Sequence, residues 1–578
     1  MACAIVNGQN WPEDWQECGF VGLNMPIYNR LGLLAALMAT SLFAGPRIAT
    51  AAPPIEVQVG SVFNSEGPGP ATGPRNLVGS ADSPPTGTAV GAIQAIVVDP
   101  SNPNILYVGA VDGGIWKSTN GGSSWLPLID QKASISISSL ALDPTDATHK
   151  TLVAGTGDLS NGGFRSISIF STPGNFGGLQ NGLLYSKDGG ASWSRIGETA
   201  LSGQSVIDVT AHGATILAAT FEARVLGASA FTGGLFRSTD SGATFTAVSG
   251  AGGSGLPSGP VTSLVGDPAN PNTYYAAVTA SSAGTRAQTA VYKSTDGGAT
   301  WTAVFAAAQS GGLINAANQT TFKIATGPGG TLAIGLVNLG TGKINGLFYS
   351  NTAGASWTTL TAPAVNGGGQ APLNFSLAID PTSSNLVYVM GDNNFSTNGG
   401  INALSIVRVN ATTNTATSLT DDNGVPTNTG NGSTVHPDGR ALAFDSNGRL
   451  LVSNDGGIYV RTLPATTTGV WQGLNGNIAV SEIYGLGYDS NSHRLVISAQ
   501  DNGSSYQAAP GSKLFNQRGS GDGINAVVND GTLTGLSAIY TNFQNLGGLQ
   551  RFIVNSTSCR RGPWPHWWRR CRPCGACR

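Results

Sequence analysis

The chain has 578 residues, of which 82 are Gly, about twice the ordinary share, while charged residues make up only 10% against an ordinary ~25%. No strict Gly-X-Y period is present, which excludes collagen, and a 40% hydrophobic content excludes a charge-rich disordered chain. Gly at this density disfavours helices, so the composition points to a large all-β protein with many tight turns. The formal net charge is −2, and with both ends set aside residues 53–556 carry −7, which argues against nucleic acid as a partner.

In chain order, residues 1–24 precede Met25 and read as upstream sequence translated from an early start. Residues 25–51 read as a signal peptide: Arg30, an apolar run from Leu31 to Ala44, then Ala49-Thr50-Ala51 as a cleavage site. That run is shorter than the ~20 residues of a membrane span. The expectation is a secreted or periplasmic monomer with no transmembrane anchor once the signal is removed. Residues 52–90 read as a lead-in that supplies a closing strand, and 91–556 as the body. All six cysteines lie at the margins (Cys3, Cys18, Cys559, Cys571, Cys574 and Cys577), so no disulfide staples the body. The tail, 557–578, holds six Arg and no acid and reads as an artificial end. Its Cys571, Cys574 and Cys577 with His566 are crowded together, unlike the separated ligand pairs of a zinc site.

The body repeats. One hairpin signature recurs as Ser118-Thr-Asn120-Gly-Gly122-Ser-Ser-Trp125, Ser186-Lys-Asp188-Gly-Gly190-Ala-Ser-Trp193, Ser238-Thr-Asp240-Ser-Gly242-Ala-Thr-Phe245 and Ser294-Thr-Asp296-Gly-Gly298-Ala-Thr-Trp301. A degenerate fifth copy runs from Ser350 through Gly354 to Trp357, and the steps between copies are 68, 52, 56 and 56 residues. Asp or Asn accepts from turn N–H groups, Gly supplies the left-handed backbone, and the closing aromatic gives the next strand an apolar anchor. A second strand–Asp turn–strand element precedes each hairpin, as in 95–110, 140–156, 264–278, 377–391, 442–457 and 486–503. Two hairpins per ~50 residues is the spacing of a propeller blade. The expected fold is therefore a β-propeller of seven or eight four-stranded antiparallel blades, the last one incomplete. Residues 160–181 lengthen the second unit, and 392–435 are expected to replace the hairpin of the sixth.

The signature resembles the Asp-box, or BNR, repeat of sialidases, sortilin-type receptors, plant photosystem assembly factors and the propellers of glycoside hydrolase family 74. The resemblance covers roughly residues 90–530. It implies a propeller whose hairpin residues are structural and peripheral. It also implies closure by first and last strands pairing in one blade, a clasp that the altered C-terminus would remove.

Three functions fit such a disc. A non-catalytic scaffold that binds a protein or glycan on one face is preferred. A glycoside hydrolase of the xyloglucanase or β-glucanase type is the alternative: Asp112-Gly113-Gly114-Ile115-Trp116 and Asp455-Gly456-Gly457-Ile458-Tyr459 resemble the family 74 segments that carry its two carboxylates. Asp112 and Asp455 are then the candidate acid and base, and Trp116 and Tyr459 the candidate sugar platforms. That family uses two tandem propellers, and the chain has room for about one. A sialidase is the weakest fit, because the aromatic-Arg-Ile-Pro pattern is missing around Arg75. No cofactor is implied. The Asp/Gly-dense segments at Asp421, at Asp501 and at Asp522 are oxygen-rich, but none matches a known calcium loop, so no metal is assigned.

Overall fold

The computed structural model describes residues 67–72, 88–132, 134–157, 181–222, 232–279, 288–315, 320–393, 404–420, 435–519, 521–555 and 559–561. The expected signal peptide, the segment before it, the 160–180 insertion, Asp421 and most of the tail lie outside the described residues.

Among the described residues nine sheets follow one another along the chain, antiparallel throughout except for one pair of strands. The first has strands Ile93–Val98, Leu106–Ala110, Ile115–Ser118 and Leu126–Pro127. Six more are built alike from consecutive strands, their first strands being Ile137–Leu142, Ser205–His212, Val261–Asp267, Thr320–Gly327, Ser376–Ile379 and Gly439–Phe444. Second strands such as Leu106–Ala110, Leu152–Thr156 and Leu450–Asn454 are buried throughout. A sheet stacked between two others must be apolar on both faces, which explains the small charged fraction of the body.

Each pair of adjacent sheets shares an apolar core. Tyr107, Ile129, Ile137 and Leu152 join the first to the second, and Val452, Tyr459 and Trp471 join the seventh to Tyr388 and Met390 of the sixth. A further core joins the seventh sheet to the first through Leu451, Ile458 and Val460 against Ile93, Leu106 and Trp125. Seven sheets thus have seven shared cores, and the ring is closed. This is a β-propeller. Its closure differs from the expectation, because among the described residues no sheet of the ring pairs a strand from before the ring with its last strand. Packing closes it, helped by Val90 N–H donating to Gly456 O at 2.9 Å and Trp125 Nε1 donating to Leu474 O at 2.8 Å.

Two sheets lie beyond the ring. The eighth has strands Ile483–Asp489, Arg494–Ala499, Gly503–Gln507 and Phe515–Gln517. The lead-in extends it: Ala71–Thr72 runs parallel to Phe515–Gln517 and pairs in turn with Thr88–Ala89. The ninth comprises Asn525–Leu533, Leu536–Phe543, Gly547–Asn555 and Cys559–Arg561. These two share their own core of Val496, Tyr506, Ala526, Ile539, Phe552 and Val554. The expected room for about one propeller thus becomes a closed seven-sheet ring followed by two more sheets. The sixth sheet also keeps its outer hairpin, Ile406–Asn410 paired with Thr415–Ser418, in which Asn410 Oδ1 accepts from Thr412 N–H at 2.9 Å. Residues 392–435, expected to replace that hairpin, therefore contain it.

The signature segments join third to fourth strands of the first five sheets and repeat one set of bonds. Ser294 Oγ donates to Asp296 Oδ1 at 2.8 Å and accepts from Gly298 N–H at 2.9 Å, while Thr300 N–H donates to Asp296 Oδ1 at 2.9 Å. Ser118, Asn120 and Gly122, then Ser186, Asp188 and Gly190, then Ser238, Asp240 and Gly242 hold matching bonds. In the fifth copy Thr352 stands where Asp or Asn does elsewhere, and Gly354 N–H still donates to Ser350 Oγ at 3.0 Å. The aromatics Trp125, Trp193 and Trp301 are buried; Phe245 and Trp357 pack partly buried against neighbouring cores.

Candidate functional site

In an antiparallel four-stranded sheet the turn from second to third strand returns to the end where the first strand began. Among the described residues four such turns carry an Asp: Asp112 in the first sheet, Asp392 in the sixth, Asp455 in the seventh and Asp501 in the eighth. The repeat therefore gathers carboxylates on one rim, where the first, seventh and eighth sheets meet.

Two features occupy that rim. The first is an open cleft of about 510 Å³ between the first sheet and the strand that enters the eighth. Asp112, Trp116, Asp130, Glu482, Ile483 and Lys513 line it. Asp112 Oδ1 accepts from Ser136 Oγ at 2.7 Å, which fixes the carboxylate at the mouth. Trp116 is mostly buried and donates through Nε1 to Gly113 O at 2.8 Å, so little of its ring meets the cleft.

The second feature is a cluster in which Asp438, Asp455 and Asp501 bring carboxylate oxygens within 4.8 Å of one another. Arg440 grips Asp455 with two bonds, through Nε to Oδ1 and through Nη2 to Oδ2 at 3.1 Å, and donates from Nη1 to Gln94 Oε1 of the first sheet at 2.8 Å. Burial alone would lower the guanidinium, but the charge and hydrogen bonds of Asp455 hold it above its ordinary value. Burial, and then the charge of Asp455, push the Asp438 carboxyl upward. Asp501 is raised for the same two reasons, with Asp438 adding to them. Asp501 N–H donates to Asp522 Oδ1 at 3.0 Å, so the two Asp/Gly-dense segments of the eighth sheet do meet. Asp392 is raised by burial although its oxygens accept from the N–H groups of Gly368 and Gln370.

The four residues proposed from sequence separate here. Asp112 and Trp116 line the cleft, and Asp455 lies in the carboxylate cluster under Arg440. Tyr459 corrects the expectation: it is wholly buried between the sixth and seventh sheets, with its hydroxyl donating to Gly456 O at 2.9 Å, and offers no face to a sugar. Alternation within Gly457–Arg461 cannot reveal this, because that strand is buried along its whole length. Arg440, Asp438 and Glu482 carried a weak signal. The run His436-Pro437-Asp438-Gly439-Arg440 reads as a turn, and Glu482 belongs to no motif.

No protein-family model matches the chain, and the search of curated proteins finds no relative. Among solved structures, the family 74 xyloglucanase of Xanthomonas campestris is similar at a TM-score of 0.52 and 14% identity, over 82% of this chain and 74% of that one. An ancestral enzyme of the same family is similar at a TM-score of 0.55 and 18% identity over 83% of this chain, which spans only 62% of that enzyme. The YCF48 protein of Cyanidioschyzon merolae matches more loosely, at a TM-score of 0.39 and 13% identity over 64% of this chain. The chain has the β-propeller fold of the family 74 glycoside hydrolases, and at these identities the likeness extends to the fold alone.

Proposed function

We propose that the protein is an exported glycan-binding propeller whose ligand lies in the cleft between the first sheet and the entry to the eighth. The observation that carries this is the lining of that cleft: three carboxylates, Asp112, Asp130 and Glu482, with one ammonium, Lys513, and the small exposed part of Trp116. Carboxylates accept hydrogen bonds from sugar hydroxyls, and the exposed part of the indole adds a small apolar contact. The negative balance disfavours acidic sugars, and no Arg lines the cleft among the described residues, which removes the carboxylate clamp a sialidase needs. No helix among the described residues is long and apolar enough to cross a membrane.

One observation favours hydrolysis as a second reading. Asp112 and Glu482 reach the same cleft from separate elements, as the acid and base of a glycosidase must. Asp455, held by Arg440, is not the partner in that reading. Affinity electrophoresis in xyloglucan and mixed-linkage β-glucan gels, run beside a reducing-end assay, tests both. Retardation without turnover, lost in Asp112→Ala, supports the binding reading. Turnover lost in both Asp112→Ala and Glu482→Gln supports hydrolysis. Absence of both retardation and turnover refutes a glycan ligand of this class.

A further inference from the structure

We propose that Asp438, Asp455 and Asp501 hold a divalent cation, with Ca²⁺ the best fit, at the junction of the first, seventh and eighth sheets. The residues come from three separate turns. Asp438 stands just before the strand Gly439–Phe444, Asp455 between Leu450–Asn454 and Gly457–Arg461, and Asp501 between Arg494–Ala499 and Gly503–Gln507. Their carboxylate oxygens converge within 4.8 Å. Against these three negative charges stands the Arg440 guanidinium, already committed to Asp455 on one side. Glu482, Asp522 and Asp392 close by add negative charge, and His436, whose two ring nitrogens face the carbonyl oxygens of Pro437 and Asp501, adds one positive charge beside Asp438, so the carboxylates still outnumber the cations. Buried carboxylates in such excess call for a counter-charge.

A second observation points to the same ligand. Two buried oxygens that belong to different residues find no donor: Asp438 Oδ1 and Asn502 Oδ1, each in a side chain only 7% exposed. Asn502 follows Asp501 directly, and its amide nitrogen donates to the main-chain oxygens of Asp455 at 2.9 Å and Gln500 at 3.1 Å, which ties the side chain to two of the turns that supply or adjoin the carboxylates. A buried acceptor without a donor is destabilising unless something positive meets it. Donors that are all oxygen, three of them carboxylates, suit a hard cation. Ca²⁺ takes 6–8 oxygens and tolerates irregular geometry, whereas Mg²⁺ keeps most of its waters and uses one or two carboxylates. Asp501 is the least buried of the three residues. With ligands from the seventh and eighth sheets, the ion would fasten the eighth sheet to the closed ring.

The test uses the whole protein, stripped with EDTA and desalted. Equilibrium dialysis with ⁴⁵Ca²⁺ is expected to give one ion per chain. The melting midpoint is expected to rise by several degrees once calcium reaches ~100 times its dissociation constant, with a smaller rise in magnesium. Asp438→Asn and Asp501→Asn should each keep the midpoint of the stripped parent and lose the calcium-dependent rise. Should a variant not fold, hydrogen exchange of the parent decides: calcium should slow exchange at 436–440, 454–457 and 500–503. No bound calcium, a rise that survives in both variants, or slowed exchange confined to other segments overturns the proposal. Glycan retardation is read through Asp112, so either assay can fail while the other stands.

Discussion

At the scale of single residues, carboxylates in this protein divide into two populations set by surroundings. In the hairpins, the Ser192 hydroxyl and then its N–H pull Asp188 down to about 2, and the Thr244 hydroxyl does the same for Asp240. Asp296 reaches about 2 as well, the Thr300 bonds outweighing the opposing effect of burial. A carboxylate whose folded value lies below its unfolded one stabilises fully above about pH 4 and loses that contribution as pH falls toward 2. Acid titration of stability should therefore show a loss over this window that shrinks in an Asp188→Asn, Asp240→Asn double variant; an unchanged profile would sink the idea. On the rim, Asp455 depends on Arg440, both being almost wholly buried. Removing one partner of a buried pair leaves an uncompensated charge, so Arg440→Ala should destabilise by ~3–5 kcal/mol in a urea titration. A loss below ~1 kcal/mol would show that the pair behaves like an exposed one.

At the scale of elements, the hairpin signature was legible because its chemistry is local. Ser, Asp and Gly at fixed offsets bond to one another within a single turn, so spacing alone announces them. Ser294→Ala removes a donor to Asp296 and an acceptor for Gly298 N–H, and should lower stability by ~1–3 kcal/mol. Gly298 has φ +83°, and an added Cβ would stand 2.8 Å from Leu217 of the neighbouring sheet. Gly298→Ala is therefore expected to lower the melting midpoint more than Gly252→Ala, whose Cβ would meet nothing within 4 Å. Equal effects would mean the hairpins are not wedged against adjacent sheets. The sixth sheet shows the limit of this kind of reading. Its outer hairpin turns on Asn410 and Thr412 without the Ser-x-Asp-x-Gly pattern, so sequence spacing passed over it. The site was only half visible for a similar reason. Asp112 sits in an Asp-Gly-Gly turn that stands out, whereas Glu482 and Arg440 matter only through partners far along the chain, such as Gln94.

At the scale of the whole molecule, the ring and the two later sheets differ in how completely they bury their apolar residues. Of the eleven large hydrophobics exposed among the described residues, eight lie between Ile483 and Leu549, including Leu486, Tyr488, Val527 and Leu546. The seven ring sheets each have a neighbour on both sides; the pair beyond has a core between its members alone. Limited proteolysis should trim this pair first and leave a resistant fragment that contains the ring and the Asn477–Val480 segment packed on Trp125. Early cuts within the ring would contradict that order. Composition and repeat length announced a propeller, but not how many sheets close it. Closure rests on Leu451, Ile458 and Val460 meeting Ile93 and Leu106, a pairing of residues more than three hundred positions apart that no local pattern encodes.

The proposal that a glycan occupies the cleft beside Asp112 is tested most directly by hydrogen exchange with and without a xyloglucan oligosaccharide. Slowed exchange is expected to be confined to 110–116 and 477–483, two segments that line the cleft. Slowed exchange elsewhere on the disc, or none at saturating sugar, would contradict it.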